Sequence, residues 1–203
     1  STNGKMKDVP IPANNMRGQD KLPQKKITWE VNDPDEDQIL INLFYKPVND
    51  TEWISLAKAI HGRDSFIWDT NIIPDGKYLI KILVNDLLSN PKQTFLQVEK
   101  ISSQFVIDNT KPVVKEINVT IGEEGCEVAG TVFDNMSELS KIQLAIDSGI
   151  WIPIYPIDDI FDYNYESFQF SIPKLPPGEH TLTIKAIDME ENAGWKEVVV
   201  KIK

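Results

Sequence analysis

From Lys26 onward, apolar and polar residues alternate along the chain, the two-residue period of a strand with one buried face. Ile27-Thr28-Trp29-Glu30-Val31 opens the pattern, and Asp33-Pro34-Asp35-Glu36-Asp37 breaks it. Strands are predicted at Ile39 to Tyr45, Glu52 to Leu56, Phe66 to Asp69 and Tyr78 to Val84, and at Phe95 to Val98 extended by Phe105-Val106-Ile107. Turn signals separate them, the strongest being Asp75-Gly76 and Asn90-Pro91. No segment of useful length carries the 3.6-residue period of a helix. Short strands with frequent turns are the pattern of a β-sandwich.

Asp108-Asn109-Thr110-Lys111-Pro112 interrupts the strands. Pro112 holds Lys111 extended and cannot donate a backbone hydrogen bond. The pattern then restarts, with strands predicted at Val113 to Ile121, Cys126 to Phe133, Lys141 to Ile146, Trp151 to Ile154, Phe168 to Ile172, His180 to Ile187 and Lys196 to Ile202. The restart is a repeat. Trp53-Ile54 parallels Trp151-Ile152, Pro74-Asp75-Gly76-Lys77-Tyr78 parallels Pro176-Pro177-Gly178-Glu179-His180, and Asn85-Asp86 parallels Ile187-Asp188. The offset is about a hundred residues, one small sandwich. The predicted organisation is an extended tail or linker over 1–23, a first domain over 24–110 and a second over 111–203. The predicted fold class is all-β, two consecutive sandwiches. Trp29, Tyr78, Ile80, Ile82 and Val84 are the expected first core, and Val132, Leu144, Leu182, Ile184 and Ala186 the second.

Trp29 on an early strand, followed by Tyr78-x-Ile80-x-Ile82-x-Val84 after a glycine turn, resembles the core of fibronectin type III domains. Asp108-Asn109-Thr110-Lys111-Pro112 and the stretch from Ala186 to Gly194 resemble tandem immunoglobulin-like modules of microbial surface or secreted proteins. The usual turn of those modules is Asp-x-x-Gly-Asn, from which Glu190-Glu191-Asn192 departs, and His180 replaces the usual aromatic. The resemblance covers about Lys26 to Lys203. It implies an extracellular or cell-surface location and a spacer, adhesion or accessory-binding role in a larger protein. The opening Ser1-Thr2-Asn3-Gly4-Lys5 reads as part of a longer chain.

A net charge of −10 without a Lys/Arg cluster argues against nucleic acid as a partner. No apolar run reaches the ~20 residues of a membrane-spanning helix. Cys126 is the sole cysteine, so no disulfide forms within the chain, and its alternating surroundings predict a small core residue. Nucleophilic catalysis requires a base beside a nucleophile, and only His61 and His180 are available. His180 stands where the first repeat has Tyr78 and reads as structural. With no nucleophile elbow, phosphate loop or zinc-protease motif, the predicted role is non-catalytic, without an organic cofactor.

Two constellations carry candidate chemistry. Asp33, Asp35 and Asp37 have the alternating oxygen spacing of a calcium loop, without its glycine or closing glutamate; a solvated acidic turn gives the same pattern. Asp108-Asn109 is a weaker source of ligands. Tyr155, Phe161, Tyr163 and Tyr165, beside Asp158, are residue types that stack on sugars or anchor a protein partner. The carboxylates of this segment are expected on its wet face, which predicts that Phe161 is buried and that Tyr163 and Tyr165 are at most partly exposed. The expected function is a structural or interaction module, a spacer or adhesion pair. Its partners would be other domains of the parent protein or another surface protein, and a carbohydrate-binding accessory module is the alternative.

Overall fold

The computed structural model describes residues 23–33, 37–90 and 94–203, in which there are strands and turns but no helix. The first seven strands are β1 (Gln24–Thr28), β2 (Leu40–Pro47), β3 (Ile54–Ile60), β4 (Ser65–Asp69), β5 (Gly76–Asn85), β6 (Gln97–Ile101) and β7 (Phe105–Ile107). β1 pairs with β4, and facing them runs the sheet β3-β2-β5, whose outer edge is shared by β6 and β7. The expected single strand reaching Ile107 is therefore two. β6 pairs with Lys81 to Asn85 and β7 with Gly76 to Tyr78. Between them Ser102 takes the ladder position, its N–H donating to the Ile80 carbonyl at 2.9 Å and its Oγ accepting the Ile80 N–H at 3.0 Å.

The second seven strands are β8 (Val113–Ile121), β9 (Gly125–Phe133), β10 (Leu139–Ile146), β11 (Ile152–Ile154), β12 (Tyr165–Pro173), β13 (Gly178–Asp188) and β14 (Ala193–Ile202). They form the sheets β12-β9-β8 and β11-β10-β13-β14. This order repeats the central strands of the first half, with β8 added beside β9 and β14 alone on the edge that β6 and β7 share. β4-β1 corresponds to β12-β9, and β3-β2-β5 to β11-β10-β13. Among the described residues, no sheet contains strands from both halves. Two antiparallel sheets closing face to face, twice over, make two consecutive immunoglobulin-like or fibronectin-like sandwiches.

The second core lies between its sheets. Val128, Val132, Phe168 and Ile172 on one side meet Leu139, Ile142, Leu182, Ile184 and Ala186 on the other, all buried. Cys126 is buried among them. The expected residues Val132, Leu144, Leu182, Ile184 and Ala186 all belong to this core. The first core is smaller: Trp68, Tyr78, Ile80 and Ile107 form a buried cluster, with Ile27, Tyr45, Leu56 and Phe105 packed around them, and Ile41 and Leu43 of β2 are buried as well.

Two expectations for the first core need correction. Ile82 and Val84 are only half-buried. Trp29 is half-buried too, because β1 ends at Thr28 and the indole lies beyond the paired sheet. Its Nε1 donates to the Arg63 carbonyl at 3.0 Å, so it closes the rim. Trp68 holds the centre, 5% exposed, with its ring 4.7 Å from Tyr45. Replacing Trp68 with alanine is expected to cost ~3–5 kcal/mol, the loss usual for a large buried aromatic. Trp29→Ala should cost clearly less in the same denaturant titration. Equal losses would show that the rim residue is as central as Trp68.

Candidate functional site at the junction of the sandwiches

Three strands end on an aspartate at one place. Asp108 follows β7, Asp134 follows β9 and Asp188 closes β13. All three are buried, and each offers a carboxylate oxygen within 4.8 Å of the others'. The loops hold them by hydrogen bonds from backbone and side chains. Asp134 Oδ1 accepts the N–H groups of Met136 and Ser137 at 2.8 and 2.9 Å. Asp108 Oδ1 accepts the Thr110 N–H at 3.0 Å, and its Oδ2 accepts the Ser137 hydroxyl. Asn192 donates its N–H and Nδ2 to the two oxygens of Asp188, at 2.9 and 2.8 Å, and Nδ2 also reaches the Asp108 carbonyl at 2.9 Å. Among the described residues, no Lys, Arg or His makes an ion pair with any of the three carboxylates.

Such a cluster resists ionisation. Burial pushes the Asp188 carboxyl up to about 6, against the hydrogen bonds from Asn192, and the neighbouring Asp108 and Asp134 push the same way. Burial raises Asp108 as well, with Asp134 and Asp75 adding to it against its own hydrogen bonds. Glu191 stands at the glycine position of the Asp-x-x-Gly-Asn turn and adopts that turn's left-handed backbone, with φ 70°. Asn192 keeps its place and its role.

The link between β7 and β8 is pinned from both sides. Toward the first sandwich, Asn109 Nδ2 donates to the carbonyls of Thr70 and Ile73 at 3.0 and 2.9 Å, and the Asn109 N–H donates to Asp75 at 2.7 Å. Toward the second, Asp108 meets Ser137 and Asn192. Gly194 lies so close to the link that a Cβ there would sit 1.8 Å from the Pro112 carbonyl oxygen. Lys25 of β1 pairs with Glu190 across the junction.

The acidic turn of the first sandwich is arranged differently. Asp35 lies outside the described residues. Asp33 is half-buried, and Asp37 Oδ2 accepts the Asn90 Nδ2 at 2.7 Å. Asn90 also donates to Asp86, at 2.9 Å. This Asp86-Asn90 pair is the counterpart of Asp188-Asn192.

The aromatic loop departs from expectation in its phase. Phe168 and Glu166 of β12 point inward and are buried, so Tyr165 and Tyr163 point outward, 49% and 62% exposed. Glu166 is the carboxylate that turned in, because its Oε1 accepts the N–H groups of Asp162 and Tyr163 at 3.3 and 3.2 Å and closes the loop. Tyr155 is 57% exposed. Phe161 is half-buried against the second core, its ring 6.4 Å from Tyr155 and tilted by 47°. Asp158 is exposed, its Oδ1 accepting the Ile160 N–H at 3.3 Å.

The two histidines also differ. His61 is exposed. His180 opens β13 as Tyr78 opens β5, and each reaches back four residues to a proline carbonyl: the Tyr78 hydroxyl donates to Pro74 at 2.7 Å, and His180 Nε2 bonds to Pro176 at 2.8 Å. The tyrosine contact is the corner familiar in immunoglobulin-like sandwiches, and the histidine substitutes for it. A carbonyl only accepts, so Nε2 carries a proton. Nδ1 faces Asp147 Oδ2 at 2.6 Å, and an ionised Asp147 accepts from it when the ring is protonated. These bonds hold the pKa of His180 above its ordinary value and that of Asp147 below, Asp147 also accepting the Thr181 N–H.

No family model and no curated protein matches the chain. Among solved structures it is similar to the FN1–FN3 domains of chicken CNTN1, with TM-score 0.40 and 13% identity over 89% of this chain and 60% of that one. It is also similar to the dimeric latent PorU of Porphyromonas gingivalis, with TM-score 0.39 and 16% identity over 82% of this chain and 20% of that one. The chain thus spans less than two thirds of either. The fold assignment rests on sheet order, not on these likenesses.

The His180–Asp147 pair makes stability depend on pH. A raised histidine pKa contributes fully below its unfolded value of about 6.5 and is lost as pH rises through the folded value. A depressed aspartate pKa contributes above about 3.9 and is lost as pH falls through its folded value. The pair therefore stabilises most between those limits. Melts at pH 5.5 and 8.5 should show His180→Tyr, which restores the phenol corner, losing less stability with rising pH than the parent. Equal slopes would mean that the corner is not charged.

Proposed function

We propose that the chain is a non-catalytic structural and interaction module, a spacer or adhesion pair of sandwiches within a larger extracellular or cell-surface protein. The observation that carries this reading is the clamped link. Asn109, Asp108 and Asn192 tie the segment between the sandwiches to both of them, and Lys25 pairs with Glu190 directly across the junction. A link satisfied on both sides keeps two bodies at a set angle, whereas a solvated linker leaves them free. Its partners are other domains of the parent protein or another surface protein.

One observation favours the carbohydrate-binding alternative. Tyr155, Tyr163 and Tyr165 are exposed, as is Asp158 of the same segment, and exposed rings with carboxylates are what sugar stacking uses. Against it, the one close ring pair in this loop, Tyr155 with Phe161, is tilted and does not form a flat platform.

NMR relaxation is expected to show the two sandwiches tumbling as one body. Asn109→Ala, which removes both carbonyl contacts to the first sandwich, should let them tumble separately. Independent tumbling of the parent chain would remove the spacer reading. A glycan panel is expected to show no binding tighter than millimolar. Binding abolished by Tyr163→Ala, with the melting curve unchanged, would shift the assignment to a carbohydrate module.

A further inference from the structure

We propose that Asp108, Asp134 and Asp188 form a divalent-cation site at the junction of the sandwiches, and that calcium is the ion it suits. The inference stands on the carboxylates themselves and holds whether or not the pair of sandwiches is a spacer. Its decisive feature is Asp134. This residue is 1% exposed, and while its Oδ1 takes two backbone N–H groups, its Oδ2 is fully buried with no hydrogen-bond partner. A buried carboxylate oxygen without a partner is costly, and here it sits within a triad of carboxylates whose neighbours supply no cation of their own. Asn109, next to Asp108, has its amide nitrogen fixed by two carbonyls and likewise leaves its Oδ1 buried without a partner.

The geometry fits a hard cation. Two oxygens on opposite sides of a calcium ion at about 2.4 Å lie about 4.8 Å apart, and the three carboxylates bring oxygens within that reach of one another. No imidazole or thiolate belongs to the cluster, so its donors are those of calcium or magnesium rather than zinc or copper. Calcium tolerates the irregular, flexible shell that loop carboxylates and amide oxygens offer, whereas magnesium demands a near-ideal octahedron. A cleft of about 250 Å³, lined by Lys25, Thr70, Asp108, Glu190 and Asn192 among others, reaches Asp108 of the three. Asp108 belongs to the link and the other two aspartates to the second sandwich, so a bound ion would tie that link to its sandwich by charge as well as by hydrogen bonds.

The test uses the full chain after chelator treatment, titrated calorimetrically with calcium chloride and separately with magnesium chloride, and melted with and without each ion. One saturable calcium site is expected, with melting temperature rising ~5–10 °C at a hundredfold excess over Kd and a smaller response to magnesium. Asp134→Asn keeps the Oδ1 acceptor and removes a buried charge. It should melt no lower than the parent without calcium and lose the calcium response. Asp188→Asn provides the same readout should the first variant fold poorly. Asp37→Asn, in the acidic turn of the first sandwich, should respond as the parent does. Absence of heat and of any melting shift at about 10 mM calcium, well above the range of weak extracellular sites, would overturn the proposal. So would an unchanged response in a folded Asp134→Asn or Asp188→Asn variant, or loss of the response in Asp37→Asn.

Discussion

A polar group withdrawn from water is costly unless it finds a partner, and the short link between the sandwiches is where that constraint bears hardest. Asp108 is buried there beside two other carboxylates, so its neighbours are arranged around it. Ser137 turns a hydroxyl to it, Thr110 folds back its N–H, and Asn192 caps its carbonyl. Each of these groups belongs to a loop whose shape depends on making the contact. The same residues decide how β7 leaves the first sandwich and where β8 enters the second. Gly194 follows from this arrangement, since only a residue without a side chain lets β14 pass beneath Pro112.

Architecture was legible in the sequence because strand alternation and turn residues are local signals. The hundred-residue offset returned as a matching strand order in the two sets of sheets. What could not be read was phase where two phases were equally apolar. Trp29 and Trp68 both sit in alternating segments, and only the point at which β1 stops pairing makes one a rim residue and the other a centre. At the aromatic loop, the reasoning that carboxylates stay wet failed at Glu166. That carboxylate is stabilised inside by two backbone N–H groups, a compensation that cannot be seen without the loop's conformation.

The aspartate cluster illustrates the other limit. Asp33, Asp35 and Asp37 attracted notice because their spacing is local, whereas Asp108, Asp134 and Asp188 come together only when three strands end at one pole. A signal was nevertheless present. In each case an aspartate follows directly on, or closes, an apolar alternating run, and twice it is followed by asparagine, in Asp108-Asn109 and Asp134-Asn135. Strands ending at the same pole of a sandwich, and the link that enters there, deliver their residues to the same place, so a recurrent strand-ending aspartate foretells a meeting of charges.

The two sandwiches are unequal in the amount of side chain they bury. Among the described residues, six apolar side chains are buried in the first and sixteen in the second. Local opening costs less where less apolar surface is sequestered, so amide protons of β5 should exchange with solvent before those of β13. Loss of structure on warming would accordingly proceed in two stages rather than as a single cooperative step. The intermediate would retain β8 to β14 with Asp134 and Asp188 still in place, while Asp108 and Asn109 lost their anchorage to the opened half.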